Sequence, residues 1–68
     1  MNSIRVNGEE KRLDVTTVTE LLQAEAVDLA ARFVAVAVNG TVVPRGRWDS
    51  EPVRPGDDIE IVRPAPGG

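Results

Sequence analysis

With 68 residues, the chain has room for one domain and one modest core, because a chain of about 60 residues buries only roughly 60% of the surface it exposes when unfolded. It contains no cysteine and no histidine, which removes disulfides, thiolate and imidazole metal ligands, a cysteine nucleophile and a histidine general base. Its formal net charge of −3 argues against sequence-independent nucleic-acid binding, which rests on clustered Lys and Arg, so proteins are the expected partners.

Asp and Glu are spread over turns and helix ends as on any soluble surface, and form no recognisable catalytic pair. The first residues, MNSIRVNG, lack the basic start and apolar run of a signal peptide. No apolar stretch approaches the ~20 residues that span a bilayer. A cytoplasmic location without membrane association is the expectation.

From the N-terminus, Ile4 and Val6 alternate with Ser3, Arg5 and Asn7, and Leu13 and Val15 then alternate with Arg12 and Asp14. The pattern predicts a hairpin with one buried face. Its connection, NGEEK, contains an Asn-Gly pair but reads as a loop longer than the tightest two-residue turn.

In TTVTELLQAEAVDL the period changes from two to about 3.6. Thr17, followed three residues later by Glu20, forms a capping-box pattern. An amphipathic helix is predicted over residues 18–27, with Val18, Leu21, Leu22 and then Glu25/Ala26 on its core-facing stripe.

The run RFVAVAV predicts a strand that is apolar on both faces, with Val34, Val36 and Val38 on one and Phe33, Ala35 and Ala37 on the other. A second Asn-Gly pair at 39 and 40 closes it. Thr41, Val42 and Val43 make a short strand stopped by Pro44, which cannot donate to a ladder and so belongs at an edge. In the linking region RGRWDSEPVRPGDD, Trp48 is expected to close one end of the core, and Pro55-Gly56-Asp57 signals a turn. The last strand, DIEIVR, points Ile59 and Ile61 inward and Asp58, Glu60 and Val62 outward. A domain over residues 1–63 and a flexible tail over 64–68 are therefore expected, with a sheet covered on one face by one helix.

The stretch VNGTVVPRGRW (38–48), followed by RPGDDIEIVRPAPGG (54–68), resembles the ThiS family of thiamine-biosynthesis sulfur carriers. Its most specific features are Val43, Pro44, Arg45 and Trp48 in their spacing, Gly56-Asp57, and the closing Gly67-Gly68. The resemblance covers the whole chain, and Pro66 directly before the two glycines departs from the tails of that family. It implies an α+β, β-grasp (ubiquitin-like) fold, a mixed sheet of about five strands with one main helix on one face.

In function, the resemblance implies a protein co-substrate, not an enzyme. The carboxylate of Gly68, with Gly67 behind it, would be adenylated by a ThiF-type activating enzyme using MgATP. Sulfur from a persulfide donor, or sulfide, would then give a thiocarboxylate that thiazole synthase consumes. No cofactor would be bound by the chain itself, and the free protein would be a monomer.

Independent chemistry agrees with that reading. A carboxylate is a poor electrophile until it carries a leaving group, and the chain has no Gly-rich phosphate loop ending in Lys-Ser/Thr with which to activate itself. Glycines at 67 and 68 pass a narrow channel without Cβ clashes. Pro64 and Pro66 favour an extended tail, which from Arg63 onward reaches on the order of 15 Å.

Partner contacts are expected from Val62, Arg63, Pro64, Ala65 and Pro66 leading to the terminus. The sheet face away from the helix, with Arg5, Ala35, Ala37, Glu60 and Val62, is the expected docking surface. Three other readings stay open: a carrier for another pathway, such as the small subunit of molybdopterin synthase; a modifier that joins its carboxyl to lysines; and an interaction module with an inert tail. An iron–sulfur domain is excluded by the lack of cysteine ligands.

Overall fold

A computed structural model describes residues 2–63. Five strands and one helix follow in the order β1 (Asn2–Val6), β2 (Glu9–Leu13), α1 (Val18–Ala24), β3 (Ala35–Val38), β4 (Thr41–Val42) and β5 (Asp58–Val62), with a 3-10 turn at Arg45–Arg47 between β4 and β5. The sheet order is β2-β1-β5-β3-β4. Among the described residues the first and last strands, β1 and β5, lie side by side at the centre of the sheet as its one parallel pair.

Strand alternation sets the two faces. Ile4, Val6, Val36, Ile59 and Ile61 are buried on one, where Val18, Leu21 and Leu22 of α1 meet them. Each such aliphatic side chain contributes roughly 1.5–3 kcal/mol relative to exposure.

The hairpin connection is tighter than the sequence suggests. Val6 pairs directly with Glu9, so Asn7 and Gly8 alone form the turn, both at positive φ, 52° and 81°. That is the I′ geometry whose twist matches the flanking strands, and glycine enters it without steric cost. The residues Glu9, Glu10 and Lys11 continue β2 and are not loop. Beyond Leu13 the strand ends, yet Val15 is still buried and Arg12 and Asp14 exposed, as the alternation requires.

Helix α1 is shorter than predicted and stops at Ala24. Ala26, assigned from sequence to the apolar stripe, is exposed and left-handed at φ 58°, and Val27 is buried in its place. The Val27 N–H bonds to the Leu22 carbonyl (2.9 Å) and the Ala26 N–H to that of Gln23 (3.1 Å). These are the two bonds of a Schellman ending, with Val27 packed in the same core as Leu22.

At the other end, Thr17 Oγ1 accepts from the Glu20 N–H (3.2 Å), as the capping box predicts. The Glu20 carboxylate instead reaches one residue further back, accepting from the Thr16 N–H (2.7 Å) and its Oγ1 (2.9 Å). Those bonds, the Thr16 N–H first, hold the Glu20 carboxyl below its ordinary value of 4.5. A carboxyl depressed on folding adds stability that is present above its unfolded pKa and lost as pH falls from there through the folded value. Glu20→Gln is thus expected to narrow the gap in melting temperature between about pH 7 and about pH 3, read by circular dichroism. An unchanged gap would show that the bond to Thr16 is absent in solution.

The predicted strand over residues 32–38 shortens to Ala35–Val38, because Arg32 and Phe33 form a turn that leaves the phenyl ring exposed. Strand β4 holds only Thr41 and Val42, while Val43 turns inward and its N–H bonds to the Val36 carbonyl (2.8 Å). Trp48 closes one end of the core at 4% exposure. Val53, overlooked in the linking region, is buried as well, its N–H bonded to the Thr16 carbonyl (2.9 Å).

Edge strand β2 presents Lys11 on the helix side, where its Nζ lies 2.8 Å from Glu25 Oε1. The Glu25 carboxylate, as hydrogen-bond partner, raises the lysine's pKa above 10.5. A charge held inward at an edge also discourages pairing with a second chain.

Candidate functional site

The site expected from sequence has two parts, a sheet face and a tail. Pro64, Ala65, Pro66, Gly67 and Gly68 lie outside the described residues. The face and the end of the strand that leads to them are described.

On the side away from α1, antiparallel register places Ala35 opposite Val62 and Ala37 opposite Glu60. Ala35, Glu60 and Val62 are exposed and Ala37 is half-buried. Ala37 also pairs with Val42 of β4. Val42 and Val62 are 69% and 59% exposed, and Phe33, in the turn before β3, is 73% exposed. These three are the exposed large apolar groups among the described residues, and all flank the two alanines in sequence or across a strand pair.

Arg5 does not join this group. It faces the same way but pairs with Asp58, four residues along β5 from Val62, on the order of 13 Å by strand rise. The outer face is therefore divided: charged where β1 and β2 carry Arg5, Glu10 and Arg12, apolar where β3, β4 and the end of β5 meet. Arg63, next after β5, is exposed and close enough to Lys11, on the helix side of β2, to act on its charge, so it does not belong to the outer face. Sequence reasoning missed Val42. A two-residue Asn-Gly turn would have aligned it with Ala37, because that turn type dictates register.

Strand β5 is held by more than its ladders. Asn39, at positive φ in the second Asn-Gly turn, accepts from the Asp58 N–H through Oδ1 (2.9 Å) and donates through Nδ2 to Asp57 (3.1 Å). Asn7 accepts from the Ile61 N–H through Oδ1 (2.7 Å) and donates through Nδ2 to the Ile61 carbonyl (3.2 Å). Among the described residues, no group of three or more Asp or Glu is placed to hold a metal ion.

One helix laid across a mixed five-stranded sheet, with the first and last strands parallel at its centre and the chain leaving from the last strand, defines a β-grasp, ubiquitin-like domain. The model of the ThiS family matches residues 4–68. A crystal structure of a thiamine biosynthesis protein (ThiS) from Geobacter metallireducens is 36% identical, with 97% of this chain and 99% of that chain covered at a TM-score of 0.79. A solution structure of a thiamine biosynthesis protein from the same organism is also 36% identical, with 97% of this chain and 87% of that chain covered at a TM-score of 0.77. A comparison with curated proteins returned no match. This chain belongs to the ThiS family.

Proposed function

We propose that this protein is a sulfur carrier of thiamine biosynthesis whose working group is the carboxylate of Gly68. The observation that carries the reading is the family match, which extends from Ile4 through Gly68 and so takes in the Gly-Gly ending together with the fold.

In this reading a ThiF-type enzyme joins the Gly68 carboxylate to the AMP moiety of MgATP and releases pyrophosphate. Sulfide then attacks the carbonyl carbon, the C–S bond forms, and AMP leaves with the electron pair of the broken C–O bond. A persulfide donor reaches the same thiocarboxylate after a thiol cleaves the intervening acyl disulfide. Thiazole synthase takes the sulfur, and the carrier returns as carboxylate. The chain supplies the electrophilic carbon and the handle, and its partners supply the ATP site and the catalysis. Among the described residues no helix is long and apolar enough to cross a membrane, and the cytoplasm is where this reading places the protein.

The apolar side of the outer face, with Ala35, Ala37 and Val62, is the docking surface in this reading. Its place at the end of β5 lets the domain rest outside a partner while a tail of on the order of 15 Å reaches in. Replacing Ala35 with glutamate sets a charge against Val62 across the strand pair, at an exposed position. The activating enzyme's KM for the carrier is expected to rise about tenfold, equivalent to roughly 1.4 kcal/mol of lost binding. Thermal stability should change by less than about 0.5 kcal/mol. Unaltered activation kinetics would remove this face from the docking surface.

Intact mass after incubation with MgATP, a ThiF-type enzyme and a sulfur source tests the carrier reading. A gain equal to sulfur replacing one oxygen, confined to Gly68 by fragmentation and dependent on ATP, is expected. An unmodified terminus, with the enzyme competent on another carrier, would overturn it, and an isopeptide adduct would point to a modifier.

A further inference from the structure

The two Asn-Gly turns are built alike and grip the same strand at opposite ends. In each, asparagine is left-handed at φ 52° and its side-chain amide bonds to β5. Asn39 holds the start of the strand at Asp58, and Asn7 holds its end at Ile61.

The grip of Asn7 is the more complete. Main-chain pairing between β1 and β5 stops where Val6 lies beside Ile59, with the Asn7 N–H donating to the Ile59 carbonyl (2.8 Å). One step on, Ile61 presents an N–H and a carbonyl toward the side that β1 has left. The Asn7 side chain answers both, acceptor to donor and donor to acceptor. A carboxamide is a peptide group in miniature, so it prolongs the parallel ladder by one residue after the backbone has turned away. Past Ile61, among the described residues, the ladder support of the strand comes from β3, through the pair of Ala35 with Val62.

We infer that Asn7 is a positioning residue for the reaction at Gly68: its amide fixes the end of β5 so that the tail leaves from a rigid base. This rests on the reading of Gly68 as the reacting terminus. Without the amide, strand ends held from one side fray. Residues 61–63 would then lose their fixed position and would have to be ordered each time the terminus enters the activating enzyme. Docking through Ala35, Ala37 and Val62 precedes that insertion, so the loss falls on kcat rather than KM.

Asn7→Gly keeps the positive-φ turn while deleting both amide bonds, and Asn39→Gly does the same at the other end of the strand. Adenylation by a ThiF-type enzyme, followed by ATP–pyrophosphate exchange, is expected to show kcat about tenfold lower for Asn7→Gly with KM within about twofold of wild type. Asn39→Gly should retain the wild-type kcat. In 15N relaxation, Asn7→Gly should show added fast motion at Ile61, Val62 and Arg63. A wild-type kcat in Asn7→Gly, or equal losses in the two variants, would overturn the inference and leave Asn7 a turn residue only. If Asn7→Gly melts below the assay temperature, Asn7→Asp is used, because it keeps the acceptor for the Ile61 N–H but sets an oxygen against the Ile61 carbonyl. The same lowering of kcat is expected of it. If wild-type protein is itself not adenylated, the Gly68 reading fails, and the relaxation comparison still decides whether Asn7 holds the base of the tail.

Discussion

Trp48→Ala is expected to leave the domain largely unfolded at room temperature. Removing a buried aromatic ring costs about 3–5 kcal/mol, through lost burial and the cavity left behind. A chain of this length has a total stability on the order of 3–10 kcal/mol, so the loss takes most of it. Nor is the ring an isolated filler. Its Nε1 donates to the Val43 carbonyl (3.0 Å), its own carbonyl accepts from the Thr19 N–H in the first turn of α1 (3.1 Å), and the Arg45 guanidinium lies 4.5 Å from its centre. Arg45 in turn donates to the carbonyls of Leu29 and Ala31, tying down the segment between α1 and β3.

Far-UV circular dichroism with urea titration checks the expectation. Trp48→Phe separates the causes, since it keeps most of the apolar area but leaves the Val43 carbonyl without its donor, a loss of about 1–3 kcal/mol. A Trp48→Ala protein with a wild-type urea midpoint would mean that the core closes without the indole.

Gly68→Val is expected to slow sulfur loading by on the order of 100-fold, the effect of displacing a reacting atom by about 1 Å. On the proposed function, residue 68 reacts twice: its carboxylate oxygen attacks the α-phosphorus of ATP and pyrophosphate leaves, and its carbonyl carbon is then attacked by sulfur and AMP leaves. A branched side chain beside it crowds the attack and narrows the φ range with which the terminus threads a channel. Because the substitution alters none of the residues of the proposed docking face, the activating enzyme's KM should stay within about twofold. Mass spectrometry of the thiocarboxylate over time gives the rate. Loading of Gly68→Val at the wild-type rate would place the acceptor carbon elsewhere and overturn the proposal.

Much of this architecture was legible from local pattern, and the places where reading failed have specific causes. Alternation at Ile4, Val6, Ile59 and Ile61 assigned the buried face correctly, because strand side chains repeat every two residues whatever the partner strand. The helix start was visible in Thr17 and Glu20. Its end was not, because Ala26 adopts a conformation usually left to glycine, and the bonds that hold it there close only on the folded helix. Phe33 read as strand because its β propensity is high, yet it lies in a turn outside the ladder. Val53 was passed over among Pro, Gly and charged neighbours; it is buried because its segment runs beside the start of α1, with the Val18 N–H bonded to the Glu51 carbonyl (3.0 Å).

By itself the sequence determined the inward residues of β1 and β5, the helix cap and the positions of the two Asn-Gly pairs. Each of these is local, decided by side-chain periodicity, by a donor within three residues or by the conformational freedom of glycine. Only the tertiary structure decided which strands are neighbours, and with that which outward residues meet. It brought Val42 to Ala37 and Ala35 to Val62, and moved Arg5 away from them. It also turned Asn7 from a turn-former into a clamp on a strand 54 positions away. A hydrogen bond between residues so far apart leaves no periodic trace in either segment, since its geometry exists only once the first and last strands lie side by side.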